Sequence, residues 1–231
     1  MHVELVEIFR CIASHRDSWL VAAADRTEGR VILDGTLGCP VCHAEYAIRV
    51  GVAWFDAPAS AEQSSRESRQ RANARLAEQP SRDDDPDAAL RLAALLGASD
   101  TTMTVALVGV SLPLATAIQS IVPVRCIVVD TPDEHDALDV LRRAESQLAI
   151  VRANGTLPVA DGSLHGVYAG RVNAAAYARA LRDGGRLVAS ADAPVPTGIT
   201  ELARDEMHWV GERSAETNAA PASLVQLRRR R

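Results

Sequence analysis

Thr104-Val105-Ala106-Leu107-Val108-Gly109-Val110-Ser111-Leu112-Pro113 sets the reading of the fold. Its first five residues form an unbroken apolar run of strand length, too short for a core helix and ending at a glycine. Pro113 then opens a helical pattern over residues 113–120. Arg125-Cys126-Ile127-Val128-Val129-Asp130 repeats the apolar run, and a helical stretch over 135–145 follows, with Leu138 and Leu141 spaced for one face. Leu148-Ala149-Ile150-Val151, Gly166-Val167-Tyr168-Ala169 and Arg186-Leu187-Val188-Ala189-Ser190 supply three more strands. Helices are expected over 88–96, stopped by Gly97, and over 174–181, stopped by Gly184-Gly185. Residues 207–210 and 223–227 fit a final antiparallel pair. Apolar strands alternating with helices indicate a mostly parallel sheet covered on both faces, so residues 87–231 read as an α/β, Rossmann-like, doubly wound unit.

In such a fold a ligand sits at the carboxyl ends of the strands, where glycine admits the backbone and an acid takes ribose hydroxyls. Gly109 and Asp130 occupy those two positions and are the candidate cofactor-binding residues, with a plain loop carboxylate or helix N-cap the alternative for Asp130. The loop has one glycine there, with Val110 and Leu112 carrying side chains where close approach needs none. Asp161, in Asp161-Gly162-Ser163, reads as a turn residue. His135, His165 and His208 are scattered, no nucleophile elbow occurs, and no catalytic residue is assigned.

Residues 1–57 differ in kind. They hold five of the eight aromatic residues and three of the four cysteines. Trp19-Leu20-Val21-Ala22 and Arg30-Val31-Ile32-Leu33 read as strands around a turn at 27–29. Tyr46-Ala47-Ile48-Arg49 and Val52-Ala53-Trp54-Phe55 form a second pair around Gly51. A module this small usually needs a staple. Cys39-Pro40-Val41-Cys42 is a C-x2-C knuckle, and Cys11 and His15 form a C-x3-H pair upstream. Together they give a tetrahedral Cys3His set for structural zinc, with His43 a rival for the fourth place. Cys126, within a strand, reads as a small buried residue. Residues 58–86 are polar on every face and read as a helical linker ending in a loop at Asp83-Asp84-Asp85-Pro86.

The 231 residues carry a net charge of −5, and every basic side chain is arginine, which removes Schiff-base and phosphate-loop lysine chemistry. The acidic balance argues against nucleic acid as a partner, and the arginine tail at 228–231 reads as a solvated terminus. No apolar run is long enough to cross a bilayer and no secretory pattern opens the chain, so a cytoplasmic protein is expected.

Two resemblances follow from these residues. Residues 5–11 (Leu-Val-Glu-Ile-Phe-Arg-Cys), then Leu37-Gly38-Cys39-Pro40-Val41-Cys42, then the Y-x-I-R-x-G stretch from Tyr46 to Phe55, resemble the small zinc-ribbon methyltransferase-activator family. The first knuckle departs from that family's C-P-x-C, being Cys11-Ile12-Ala13-Ser14-His15. The resemblance implies a module that supports a methyltransferase fold, often by adding a strand to its sheet edge. Leu157-Pro158-Val159-Ala160-Asp161-Gly162-Ser163-Leu164-His165-Gly166-Val167 resembles the L-P-F-x-D-G-S-F-D-x-V stretch of class I S-adenosylmethionine methyltransferases. His165 stands where that family has aspartate, Ala153 or Asn154 where it has an adenine-contacting acid, and Val110 and Leu112 within its glycine loop. The resemblances imply S-adenosylmethionine as the cofactor of the fold. The eroded loop implies a pseudoenzyme, an accessory or scaffold subunit whose protein partner is a methyltransferase or a second copy of the chain. The alternative is an active methyltransferase with an RNA or small-molecule acceptor.

Overall fold

The computed structural model describes residues 1–13, 15, 18–55, 87–144, 147–170 and 173–214. The polar linker over 58–86 and the strand expected over 223–227 lie outside these residues. In chain order the strands are β1 (Val21–Glu28), β2 (Val31–Gly38), β3 (Glu45–Arg49), β4 (Val52–Trp54), β5 (Thr104–Val108), β6 (Arg125–Val129), β7 (Leu148–Arg152), β8 (Leu164–Gly170), β9 (Leu181–Ser190), β10 (Ile199–Arg204) and β11 (His208–Arg213). The helices are α1 (Ala88–Leu96), α2 (Leu112–Ile121), α3 (Ala137–Arg143) and α4 (Ala175–Ala178), with a 3-10 helix over Val3–Ile8.

All eleven strands join one sheet, in the order β1-β2-β3-β4-β7-β6-β5-β8-β9-β11-β10. β7, β6, β5, β8 and β9 are mutually parallel, the doubly wound pattern expected of their apolar sequences. The order reverses between β5 and β8, which puts the ligand crevice of such a fold at the carboxyl ends of those strands. β11 runs antiparallel between β9 and β10.

The N-terminal hairpins continue this same sheet. β4 pairs parallel with β7, setting Val52, Ala53 and Trp54 opposite Ile150, Val151 and Arg152. Phe55 N–H then donates to the Arg152 carbonyl at 2.7 Å, and His2 N–H to the Leu148 carbonyl at 3.0 Å. Side chains reinforce the seam. The Arg152 guanidinium lies 5.9 Å from the centre of the Trp54 ring and pairs with Glu134.

Alternation along the strands sends side chains to two faces. Val105, Leu107, Cys126, Val128, Leu148 and Ile150 pack under α1, α2 and α3. Cys126 is fully buried, as its place in a strand implied, and burial pushes its thiol up to about 12. Ala106, Ile127, Val129, Ala149 and Val151 face the N-terminal 3-10 helix, residues 153–159 and the short α4. Local signals fix the helix ends. Gly97 adopts φ 66° after α1, where its N–H and that of Ala98 close on the Ala94 and Ala93 carbonyls. Ser111 caps α2 through the Leu114 N–H.

Three expectations change. The helix expected over 174–181 is the single turn α4. Gly184-Gly185 does not end a helix but lies inside β9, where the β8–β9 register slips. A Cβ on Gly185 would come within 2.8 Å of the Arg182 carbonyl oxygen, so glycine there permits a bulge. β11 takes as its outer partner β10, whose Ile-Thr-Glu-Leu-Ala-Arg sequence buries only Ile199.

Phe55 is buried beside the seam, its ring stacked at 4.7 Å on Tyr46 and 5.7 Å from Phe9. Replacing it with alanine removes that cluster's centre. Phe55→Ala is expected to lower unfolding stability by about 3–5 kcal/mol, read from denaturant melts.

Candidate metal centre and the carboxyl ends of the strands

β2 delivers Cys39, and the Pro40-Val41 turn returns the chain so that Cys42 faces it. Cys39 N–H donates to the Ala44 carbonyl and His43 N–H to the Cys39 carbonyl, closing the knuckle. Cys11 arrives from the other side, its N–H held by the Ser18 carbonyl next to the Arg10–Trp19 bridge. The ligand atoms of Cys11, His15, Cys39 and Cys42 all lie within 4.8 Å of one another.

The donor set fits zinc. Bond lengths of ~2.3 Å to sulfur and ~2.0 Å to nitrogen place tetrahedral donors ~3.8 Å apart for S···S and ~3.5 Å for S···N. The Cys11 and Cys42 sulfurs are 3.6 Å apart, and Cys39 Sγ is 3.5 Å from His15 Nε2. His43, the rival ligand, is exposed with φ 59° and is not among the clustered donors. The left-handed turn that closes the knuckle carries it away.

The surroundings favour thiolate at Cys39, while the neighbouring Cys11 and Cys39 thiols push Cys42 up. Burial raises the Cys39 thiol, but the N–H groups of Cys42 and Val41 and the thiols of Cys42 and Cys11 outweigh this and bring it down to about 6. Tyr46 Oη accepts the Ile12 N–H at 3.3 Å, which leaves its own hydrogen for Cys11 Sγ at 3.1 Å. Tyr46 was not picked out as part of the site. Its signal was the Y-x-I-R stretch, three residues beyond the knuckle histidine. Four protein ligands leave no open position, so a zinc here would cross-link the N-terminal segment to the β2–β3 hairpin.

At the other candidate site, Gly109 keeps a left-handed turn after β5, with φ 69° and its N–H on the Val129 carbonyl at 2.8 Å. Val110 and Leu112 are buried among the residues under the helices. Asp130 also takes a left-handed conformation, φ 52°, which aspartate tolerates better than most residues. Its carboxylate is engaged by the turn after β7. Oδ1 accepts the N–H groups of Ala153 at 2.8 Å and Asn154 at 3.2 Å, and Oδ2 that of Gly155 at 3.1 Å. Asp133 Oδ2 accepts the Leu112 N–H at 3.0 Å, occupying a donor in the first turn of α2. Tyr177 lies buried nearby, its hydroxyl pushed up to about 12 by burial and by the Asp130 charge.

Asp161 pairs with Arg179, whose guanidinium also donates to the Leu157 and Val159 carbonyls and so fastens the Asp-Gly turn to the end of α4. His165 accepts the Thr104 N–H on Nδ1 at 3.2 Å, joining the starts of β5 and β8.

No protein-family description matches the sequence, and no curated protein does. Solved structures do match. A chain from the complex between the Haloferax volcanii Trm112 methyltransferase activator and a putative methyltransferase aligns with a TM-score of 0.47 and 13% identity, covering 62% of this chain and 97% of that one. Geranyl diphosphate C-methyltransferase from Streptomyces coelicolor aligns with a TM-score of 0.39 and 17% identity over 44% of this chain. The chain spans only 41% of that enzyme. The YcgJ protein of Bacillus subtilis gives 0.37 and 17%, over 44% of this chain and 49% of that one. At these identities and TM-scores the likeness assigns no role, and the fold is read from the strand order itself. By its strand order the chain is an α/β protein with a Rossmann-like sheet, parallel at its centre through β7, β6, β5, β8 and β9 and antiparallel on both flanks, with a Cys/His cluster at its N-terminal side.

The clustered donors give a direct test of the metal centre. Purified protein is expected to carry one zinc per chain by elemental analysis, His15→Ala to lose most of it, and His43→Ala to retain it. Equal retention in both variants would remove His15 from the ligand set.

Proposed function

We propose that the chain is a methyltransferase-fold protein that works as an accessory or scaffold subunit through protein contacts, in the cytoplasm, with a structural zinc at Cys11, His15, Cys39 and Cys42. The observation that carries this reading is the state of Asp130. The residue placed to take ribose hydroxyls spends its carboxylate on three backbone N–H groups of residues 153–155. Leu112 supports it, because a donor at the start of α2 is held by Asp133. Both contacts convert groups that a cofactor would use into fasteners of the protein's own loops.

The N-terminal hairpins support the same reading. The activator-like stretch lies on the edge of its own chain's sheet, through β4 and β7. A fold that already carries its edge strand has that edge closed to a separate activator. Its protein partner, a methyltransferase or a second copy of the chain, would meet it elsewhere.

Gly109 favours the alternative, since its left-handed turn survives at the switch point. In that reading the chain is an active S-adenosylmethionine-dependent methyltransferase with an RNA or small-molecule acceptor.

Calorimetric titration of the zinc-replete protein with S-adenosylmethionine and S-adenosylhomocysteine separates the two. No saturable heat at about millimolar ligand, a binding free energy weaker than about 4 kcal/mol, is expected. One-to-one binding at micromolar ligand would establish the alternative. In parallel, Asp130→Ala is expected to destabilise the protein by about 1–3 kcal/mol, because it strands backbone donors. A binding-site carboxylate held for a ligand would instead be neutral or stabilising to remove.

A further inference from the structure

Where β5, β8 and β9 begin, at the end of the sheet opposite Gly109 and Asp130, a cleft of about 260 Å³ opens between the loop after α1 and the bulge of β9. Arg182, Arg186 and His165 line it, with Asp100, Leu96 and Met103. Arg182 is exposed and makes no ion pair or hydrogen bond among the described residues. Arg186 gives one N–H to the Ala94 carbonyl at 3.3 Å, at the end of α1, and its other donors have no partner among the described residues. His165 accepts the Thr104 N–H on Nδ1, so the neutral ring carries its hydrogen on Nε2. Burial and then the charges of Arg182 and Arg125 lower its pKa, which keeps it in that neutral donor form.

The one carboxylate of the cleft, Asp100, is engaged within its own loop and keeps its charge. Asp100 accepts the Thr102 N–H and hydroxyl on Oδ1 and the Ser99 hydroxyl on Oδ2. The cleft therefore sets two guanidinium groups and an imidazole N–H against one carboxylate, which is tied to Thr102 and Ser99. In a chain of net charge −5 this is a local concentration of donors rather than a basic surface. Paired guanidinium groups match the oxygens of a phosphate in geometry as well as charge.

We infer that this cleft binds the phosphate group of a small molecule, held between Arg182, Arg186 and His165. The site lies apart from the carboxyl ends of the strands, so it stands whether or not S-adenosylmethionine binds. The shared chemistry has two sources, free phosphate and a phosphomonoester.

The test titrates the full-length, zinc-replete protein with inorganic phosphate and, separately, with glycerol 3-phosphate, at constant ionic strength set with chloride. Saturable binding is expected for at least one of them. Tighter binding of the ester assigns the site to a phosphorylated metabolite, and equal or tighter binding of the ion assigns it to free phosphate. Arg182→Ala is expected to weaken the binding about tenfold or more, and Arg182→Glu to abolish it. Both changes fall on an exposed side chain, and unchanged thermal melts check that the fold is intact. Absence of saturation with both probes, or identical titrations of wild type and Arg182→Glu, would overturn the site.

Discussion

The parallel pairing of β4 with β7 is the constraint on which the rest of the molecule depends. Without β4, β7 would present a row of unpaired backbone groups beside a buried apolar face. With it, two short antiparallel hairpins become the continuation of a parallel sheet, and each half gains a neighbour it needs. The N-terminal hairpins gain a wall for Leu5, Phe9, Tyr46 and Phe55, which share one buried cluster with residues of β5, β6 and β7. The rest of the chain gains a closed edge. Supplying the strand in cis makes the pairing intramolecular, so its strength does not depend on the concentration of a separate subunit. A bidentate Arg142–Glu28 pair also ties α3 to β1, but with both side chains about half exposed it adds little beyond the sheet itself.

A second theme runs through the polar groups. Several side chains at the positions where such a fold meets its ligand are directed inward instead. Asp130 organises the turn after β7, Asp133 holds the start of α2, and Glu134 holds Arg152 at the seam. Each of these contacts links one strand end to the next, so the carboxyl ends of β5, β6 and β7 are bound together by side chains. At the far end of the same strands the pattern is the reverse. Asp100 bonds within its own loop, while Arg182 is left open to the cleft.

How much of this was legible in the sequence depended on what kind of partner each residue has. β5, β6 and β7 announced themselves because strands buried on both faces must be continuously apolar. β10 did not, because an edge strand with one buried residue carries a loop's composition. The glycine pair at 184–185 looked like a helix stop, since a bulge and a stop use the same residue for the same freedom of backbone. The clustering of the three cysteines was legible because their spacing is the one a metal knuckle would need. Which histidine lies with them was not, because it turns on the left-handed φ of His43 after Pro40-Val41. For Asp130 a loop carboxylate was one of the readings, but which groups it holds was hidden. Its donors are backbone N–H groups of Ala153, Asn154 and Gly155, and backbone donors leave no mark on residue identity.

Native-state hydrogen exchange across the seam tests the central claim most directly. If β4 and β7 form one continuous sheet that holds the molecule together, the amides of Val52–Trp54 and Leu148–Arg152 will exchange with one common free energy, close to that of global unfolding. If the amides of β2, β3 and β4 instead exchange as a separate unit of much lower free energy, while β5, β6 and β7 stay protected, the hairpins are an appended module and the account is contradicted.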